Sequence, residues 1–112
     1  MLSTGPAKKL TIYVDENEKI HGKPVYEAVL DILFQRKIAG ASVFRGVAGY
    51  GSRGKLHTSK ILELSTKLPV KIEVVDSAEM ITVILAEISS VVGSGLIEVS
   101  DTSIVKRSEH KP

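Results

Sequence analysis

Residues 46 to 57 read GVAGYGSRGKLH and combine four glycines, two cations and a histidine within twelve positions. Glycine relaxes the steric limits on φ and lets a backbone approach a ligand closely. Successive backbone N–H groups beside Arg53 and Lys55 would suit a phosphate or a carboxylate. A mobile surface loop is the alternative interpretation. The two cations and His57 make a ligand or partner role about as favoured as a mobile loop.

Two glycine strings in this segment resemble known phosphate motifs. Gly49, Gly51 and Gly54 spell G-x-G-x-x-G, but that fingerprint needs a following helix inside a parallel βαβ unit. The next long element predicted here is a strand, so a dinucleotide site is disfavoured. The segment 49–55 also spells G-x-x-x-x-G-K, yet Leu56 stands where the magnesium-binding Ser or Thr would be. Nucleotide hydrolysis is disfavoured, whereas phosphate binding by N–H groups and Lys55 remains open.

Other catalytic patterns are absent from the sequence. The chain has no cysteine, and His21, His57 and His110 lack metal-ligand spacing. A carboxylate cluster in the first predicted loop is typical of a solvated turn: Asp15, Glu16 and Glu18. We predict neither a metal site nor an enzymatic activity.

Composition sets the outer limits of fold and function. The 112 residues suit one domain, and 43% hydrophobic with 25% charged residues is ordinary for a globular protein. A net charge of +2 without a basic run disfavours nucleic-acid binding. The N-terminus lacks a signal-peptide pattern, and the longest apolar segment, 80–85, is too short to span a bilayer. We expect a cytoplasmic protein without direct membrane insertion.

Hydrophobic periodicity predicts the elements that position these residues. In the first half, period-two alternation predicts a strand over 10–14, and a polar loop follows over 15–22. Pro24 opens a helix with one apolar stripe, and Gly40 is expected just past its end. A second strand is predicted over 41–48.

The second half repeats this order. A short helical turn is predicted within 58–66, and a third strand over 70–74 follows Pro69. Asp76 and Glu79 have capping-box spacing ahead of an apolar helix. Gly93-Ser94-Gly95 ends that helix. A fourth strand follows over 96–99, with a short extension at 104–105 and then a basic tail.

The order βαββαβ predicts an α+β, ferredoxin-like fold: a four-stranded antiparallel sheet with both helices on one face. Apolar residues at alternating positions fall on the open face, namely Tyr13, Phe44, Val75 and either Ile97 or Leu96. An apolar open face on so small a domain is more often an interface than a solvated surface. We therefore expect a homo-oligomer.

The chain resembles the nitrogen-regulatory PII signalling proteins, and most closely the PII-like family of unknown function. The stretch GYGSRGKLHT (49–58) is similar to the start of the PII T-loop, and 68–75 to the strand after it. GSGLI (93–97) looks like the glycine-rich B-loop, and IVKR (104–107) sits where PII proteins carry a basic C-loop. The resemblance covers residues 8–107, leaving 1–7 and 108–112 as flexible ends.

The resemblance implies a PII-like trimer that binds adenine nucleotides in clefts between subunits. Its implied ligand-binding residues are Gly49, Gly51, Arg53, Lys55, Gly93, Ser94, Gly95, Lys106 and Arg107. The loop at 49–66 would contact the regulated partner, a membrane transporter or metabolic enzyme, through Tyr50, Ser52, Gly54 and His57.

Three departures from the PII pattern accompany the resemblance. Leu96 replaces the lysine that follows the second B-loop glycine, which removes a phosphate-binding charge. The T-loop glutamine that helps to hold magnesium and 2-oxoglutarate has no counterpart, and no tyrosine lies between Gly51 and Pro69 to accept uridylylation.

The leading hypothesis is a PII-like regulator that binds a small anionic ligand, with an adenine nucleotide as the first candidate. The alternative is a ligand-independent interaction module that docks a transporter or enzyme through the loop at 49–66. A metal-tolerance trimer of similar fold is disfavoured because the expected ligand cluster is missing.

Overall fold

The computed structural model describes residues 3–50, 56–58 and 68–107. The elements are β1 (Gly5–Asp15), β2 (Lys19–Ile20), β3 (Lys23–Pro24), α1 (Val25–Gln35), β4 (Ala41–Arg45), β5 (Ala48–Tyr50), β6 (Leu56–Thr58), β7 (Pro69–Asp76), α2 (Ala78–Val91) and β8 (Leu96–Ile104). The four long strands and the two helices follow the βαββαβ order, which confirms the predicted fold class. The pairs β2–β3 and β5–β6 add two short ribbons. The helical turn predicted within 58–66 lies outside the described residues, except for Thr58 in β6.

The main sheet has the strand order β4-β7-β1-β8, and all its neighbours pair antiparallel. Tyr13 pairs with Lys71 on one side and with Leu96 on the other, while Phe44 pairs with Lys71. Paired residues share a face of the sheet, so Leu96 lies on the open face with Tyr13 and Phe44. Ile97 faces the helices and packs against the core, which decides between the two residues left open by the sequence.

Period-two alternation places the core between the sheet and the helices. Along β7, residues 70, 72, 74 and 76 are buried and their neighbours are half-buried. The helices contribute stripes at helical spacing to the same layer. The buried helical side chains are Val25, Val29 and Leu33 of α1 and Ile81, Ile84 and Ile88 of α2. One apolar layer therefore fixes both helices on one face of the sheet.

Helix α1 ends earlier than predicted. Its last residue is Gln35, and Lys37 takes a left-handed φ of 59° where a glycine is usual. The N–H of Ile38 donates to the Leu33 carbonyl at 3.0 Å, and the N–H of Lys37 donates to the Phe34 carbonyl at 3.1 Å. This hydrogen-bond pattern is a Schellman motif, and it satisfies the last carbonyls without Gly40. The prediction that Gly40 stops the helix is wrong.

Helix α2 is capped by Ser77, not by Asp76. The Ser77 hydroxyl accepts the N–H of Met80 at 3.2 Å. Asp76 is the last residue of β7, where strand alternation turns its side chain into the buried layer. Its carboxylate accepts the N–H of Ser77 at 2.7 Å and that of Ala39 at 3.0 Å. Asp76 therefore ties the start of α2 to the α1–β4 connection.

We expect Ser77→Ala to lower the free energy of unfolding by about 1 kcal/mol, because it removes the hydroxyl that caps α2 by accepting the Met80 N–H. Urea denaturation measures the change. Ser90→Ala is the matched control, because the Ser90 hydroxyl only donates back to the Glu87 carbonyl within the same helix. Equal losses in the two variants would contradict the assignment of the cap.

Within the described residues, neither helix is long and apolar enough to cross a membrane.

Candidate ligand-binding site

The Gly93–Gly95 turn joins α2 to β8 and presents its backbone at the edge of the sheet. A Cβ built on Gly95 would lie 2.3 Å from the Tyr13 carbonyl oxygen, so the close approach to β1 requires glycine there. A Cβ on Gly93 would meet nothing nearer than the Glu18 Oε2 atom, at 3.8 Å. Packing therefore explains Gly95 but not Gly93, whose exposed backbone is open to a ligand.

The backbone N–H of Ser94 already has an anionic partner. It donates to the Glu18 Oε2 atom at 3.1 Å. The Glu18 backbone is itself held, because its N–H donates to the Asp15 carbonyl at 3.2 Å and its carbonyl accepts the N–H of Val25 at 2.8 Å. The sequence interpretation of residues 15–18 as a solvated turn missed this contact, since no local signal joins positions 76 residues apart.

A second cluster fixes the base of the β5–β6 ribbon near the same end of the sheet. Arg45 binds the Glu16 carboxylate through two nitrogens, at 2.9 Å from Nη2 to Oε1 and at 2.7 Å from Nε to Oε2. The N–H of Gly46 donates to the Pro69 carbonyl at 2.7 Å, and a Cβ on Gly46 would lie 2.6 Å from the Pro69 Cγ. The chain entering the glycine-rich segment is thus pinned to the start of β7.

An open cavity of about 390 Å³ lies toward the other end of the sheet. Residues 39–42, at the start of β4, form one wall, and Glu73, Val75 and Arg107 complete it. Glu73 is already paired with Lys71 at 3.3 Å and with Lys9 at 3.9 Å. Arg107 adds a positively charged side chain to the lining, which also contains the Glu73 carboxylate.

The glycine turn and the cavity do not meet within one chain. Gly95 lies beside Tyr13, whereas Glu73 and Val75 of the cavity pair with Thr11 and Lys9, two and four residues back along β1. Two to four residues of strand span roughly 7–13 Å. The two features also lie toward opposite edge strands, β8 and β4. We refer to the Gly93–Gly95 turn and the cavity as two candidate half-sites, one toward each end of the same sheet.

The structure distributes the predicted site residues as follows. Gly93, Ser94 and Gly95 form the turn, and Arg107 lines the cavity. Lys106 is exposed and does not line the cavity.

Gly49 lies in β5 and pairs with His57 of β6, so the described element after this glycine is a strand and not the helix that a dinucleotide fingerprint needs. Five predicted residues lie outside the described residues: Gly51, Ser52, Arg53, Gly54 and Lys55. Tyr50 and His57 are described only as backbone, in β5 and β6.

Two described side chains with shifted pKa values, Lys23 and Arg36, pair with residues of the helices and line neither half-site. The hydrogen bond from Lys23 to Asp31 raises the pKa of the Lys23 ammonium, and the hydrogen bond to Glu87 raises the pKa of the Arg36 guanidinium. Among residues 3–50, 56–58 and 68–107, no group of three or more His, Cys, Asp or Glu side chains is placed to hold a metal ion. The groups that the described residues offer to a ligand are the backbone of the Gly93–Gly95 turn and the Arg107 side chain.

Sequence similarity to known proteins extends over most of this chain. The model of the DUF190 family, described as "Uncharacterized ACR, COG1993", matches residues 7–104. A UPF0166 protein of Aquifex aeolicus (strain VF5) is 37% identical over 98 residues, which cover 88% of this chain and 92% of that protein. A UPF0166 protein of Methanocaldococcus jannaschii is 40% identical over 101 residues, covering 89% and 93%.

A solved structure confirms the PII-like fold. The nitrogen regulatory PII-like protein CPII from Thiomonas intermedia K12, bound to ADP, AMP and bicarbonate, superposes with a TM-score of 0.71. The similarity covers 95% of this chain and 94% of CPII at 19% sequence identity. At that identity the likeness concerns the fold.

Proposed function

The chain belongs to the DUF190 family, and from that premise we propose that it is a PII-like regulatory protein that binds a small anionic ligand between subunits of a homotrimer. Adenine nucleotides are the first candidates. The observation that carries this proposal is the separation of the half-sites. A turn whose Ser94 N–H already binds a carboxylate and a cavity lined by Arg107 lie toward opposite ends of one sheet, and two adjoining copies would bring such groups together.

The open face of the sheet supports association of copies. It exposes 37% of Tyr13, 47% of Phe44 and 52% of Leu96. All five residues of β4 at the sheet edge are also exposed. Burial of such apolar surface drives association. When one end of each copy contacts the other end of the next, and the copies are related by a closed rotation, they form a ring. A trimer is one such ring.

The ligand would bridge the two half-sites. In this arrangement the amides of Gly93 and Ser94 face its anionic group from one subunit, while Lys106 and Arg107 approach from the next. CPII, which has the same fold, binds ADP, AMP and bicarbonate, and this supports an adenine nucleotide as the ligand. The segment 49–66, with Arg53, Lys55 and His57, would then contact the regulated partner, a transporter or an enzyme.

We expect nucleotide binding to raise the melting temperature of the trimer. A ligand at about 100 times its Kd stabilises the folded state by ~2.7 kcal/mol, which corresponds to several degrees for a chain of this size. A thermal-shift series with AMP, ADP and ATP, together with native mass spectrometry, measures binding and subunit number. Arg107→Gln should reduce the shift by more than half.

Arg36→Gln is the matched control, because it removes the same charge from an exposed ion pair on the helical layer. It should leave the nucleotide shift unchanged. The proposal fails if the protein is monomeric, or if no nucleotide at millimolar concentration moves the melting temperature.

A further inference from the structure

The Glu18 carboxylate occupies the place on the glycine turn that the anionic group of a ligand would take. Its Oε2 atom accepts the Ser94 N–H at 3.1 Å and lies 3.8 Å from the position of a Cβ on Gly93. It therefore covers the first two residues of the turn, where packing leaves the backbone open. An incoming phosphate would seek the same N–H group.

The charge of Glu18 is not balanced by a cation in the described part of the chain. The neighbouring carboxylate of Glu16 is paired with Arg45, but no ion pair reaches Glu18. Leu96, which follows the turn, adds no positive charge either. A phosphate on the Ser94 amide would lie beside this carboxylate, and like charges at such a distance repel.

The side chain is placed so that it can leave without unfolding its segment. Two backbone hydrogen bonds hold residue 18, to the Asp15 carbonyl and from the Val25 N–H. The carboxylate extends from this fixed backbone over rotatable side-chain bonds and is only half-buried. It can swing away from Ser94 while both backbone bonds persist.

We propose that Glu18 is a built-in competitor at the Gly93–Gly95 turn and selects ligands by their charge. A ligand with a single phosphate meets the smallest repulsion from the carboxylate, and each further negative charge on the ligand adds to that repulsion. The inference rests on the proposed function, because it concerns discrimination among anions at that site. It makes Glu18 a specificity-determining residue for the number of phosphates.

The test compares Glu18→Gln with the wild-type protein in calorimetric titrations with AMP, ADP and inorganic phosphate. Glutamine keeps the shape and an acceptor oxygen for Ser94 but removes the charge. We expect ADP to bind about tenfold more tightly to the variant, with a smaller gain for AMP. Glu79→Gln removes the same charge from an exposed position at the far end of α2 and should change each affinity less than twofold.

The outcomes separate the two proposals. Equal affinities in Glu18→Gln and wild type, or weaker binding by the variant, overturn the role of Glu18 and leave nucleotide binding intact. Binding of ADP by the variant but not by the wild-type protein would support the proposal in its strongest form, in which the Glu18 carboxylate blocks the turn to ADP. If neither protein binds any nucleotide, the proposed function fails first.

Hydrogen exchange of the Ser94 amide tests the contact without any ligand. The amide should exchange about tenfold faster in Glu18→Ala than in wild type, because its acceptor is gone. Added inorganic phosphate should restore protection in the variant. Equal exchange in both proteins would show that Glu18 does not hold the turn, and would overturn the inference independently of the nucleotide titrations.

Discussion

Gly95→Ala is expected to lower the free energy of unfolding by about 3 kcal/mol or more. The new Cβ would lie 2.3 Å from the Tyr13 carbonyl oxygen, 3.1 Å from the Val92 Cγ1 and 3.3 Å from the Val14 Cγ1. The Tyr13 oxygen belongs to β1, which is paired on both sides and cannot shift without disturbing β7 and β8. Chemical denaturation measures the loss directly.

Gly93→Ala is the matched control for this prediction. It introduces the same methyl group two residues earlier in the same turn, where the nearest atom is a flexible carboxylate oxygen at 3.8 Å. We expect a change within about 0.5 kcal/mol. A loss as large as that of Gly95→Ala would mean that glycine is required by the conformation of the whole turn and not by the approach to Tyr13.

Asp76→Ala is expected to cost about 2–3 kcal/mol, because it leaves two N–H groups of the sheet–helix junction without their acceptor. Those groups belong to Ala39 and Ser77. The side chain is only 4% exposed, so water cannot easily replace the carboxylate. Since Ala39 and Gly40 line the cavity, the variant should also weaken ligand binding.

Asp101→Ala provides the comparison for Asp76. Asp101 is paired with Lys8 on β1, but its side chain is 85% exposed, and such surface pairs contribute little. We expect the free energy of unfolding to fall by less than about 1 kcal/mol. Urea denaturation under the same conditions measures this change. Similar losses in the two variants would show that the buried carboxylate does not organise the junction. Asp76→Asn, which retains one acceptor oxygen, should fall between them.

The elements of this fold follow from local patterns, while their ends depend on details that the patterns do not contain. The alternation of apolar and polar residues over 70–74 and the apolar stripes of both helices arise because each element buries one face in the same layer. These patterns therefore predicted the type of each element correctly. The end of α1 depends on Ile38 closing a Schellman motif around Lys37, which a search for glycine does not reveal. At the start of α2, Asp76 and Ser77 are both good capping residues. Strand parity, which buries Asp76, decides between them.

The candidate site was only partly accessible from the sequence. The glycines of the 93–95 turn and the cation Arg107 stood out by residue type, but their separation depends on the strand order. The contact between Glu18 and Ser94 joins residues 76 positions apart, and only the folded chain brings the segment after β1 to the turn. Residue types indicated anion binding, whereas the strand order shows that the turn and the cavity lie at different ends of the sheet, which no local pattern predicts.

The three residues 16–18 connect features that otherwise lie apart. Glu16 binds Arg45 just before the glycine-rich segment, and Glu18 binds Ser94 in the Gly93–Gly95 turn. Two residues of extended backbone span at most ~7 Å. A displacement of the backbone of this segment would therefore reach both contacts, whereas rotation of the Glu18 side chain alone would leave Glu16 in place. Coupling of this kind is reciprocal, so a partner that grips the loop would alter the affinity of the turn for its ligand.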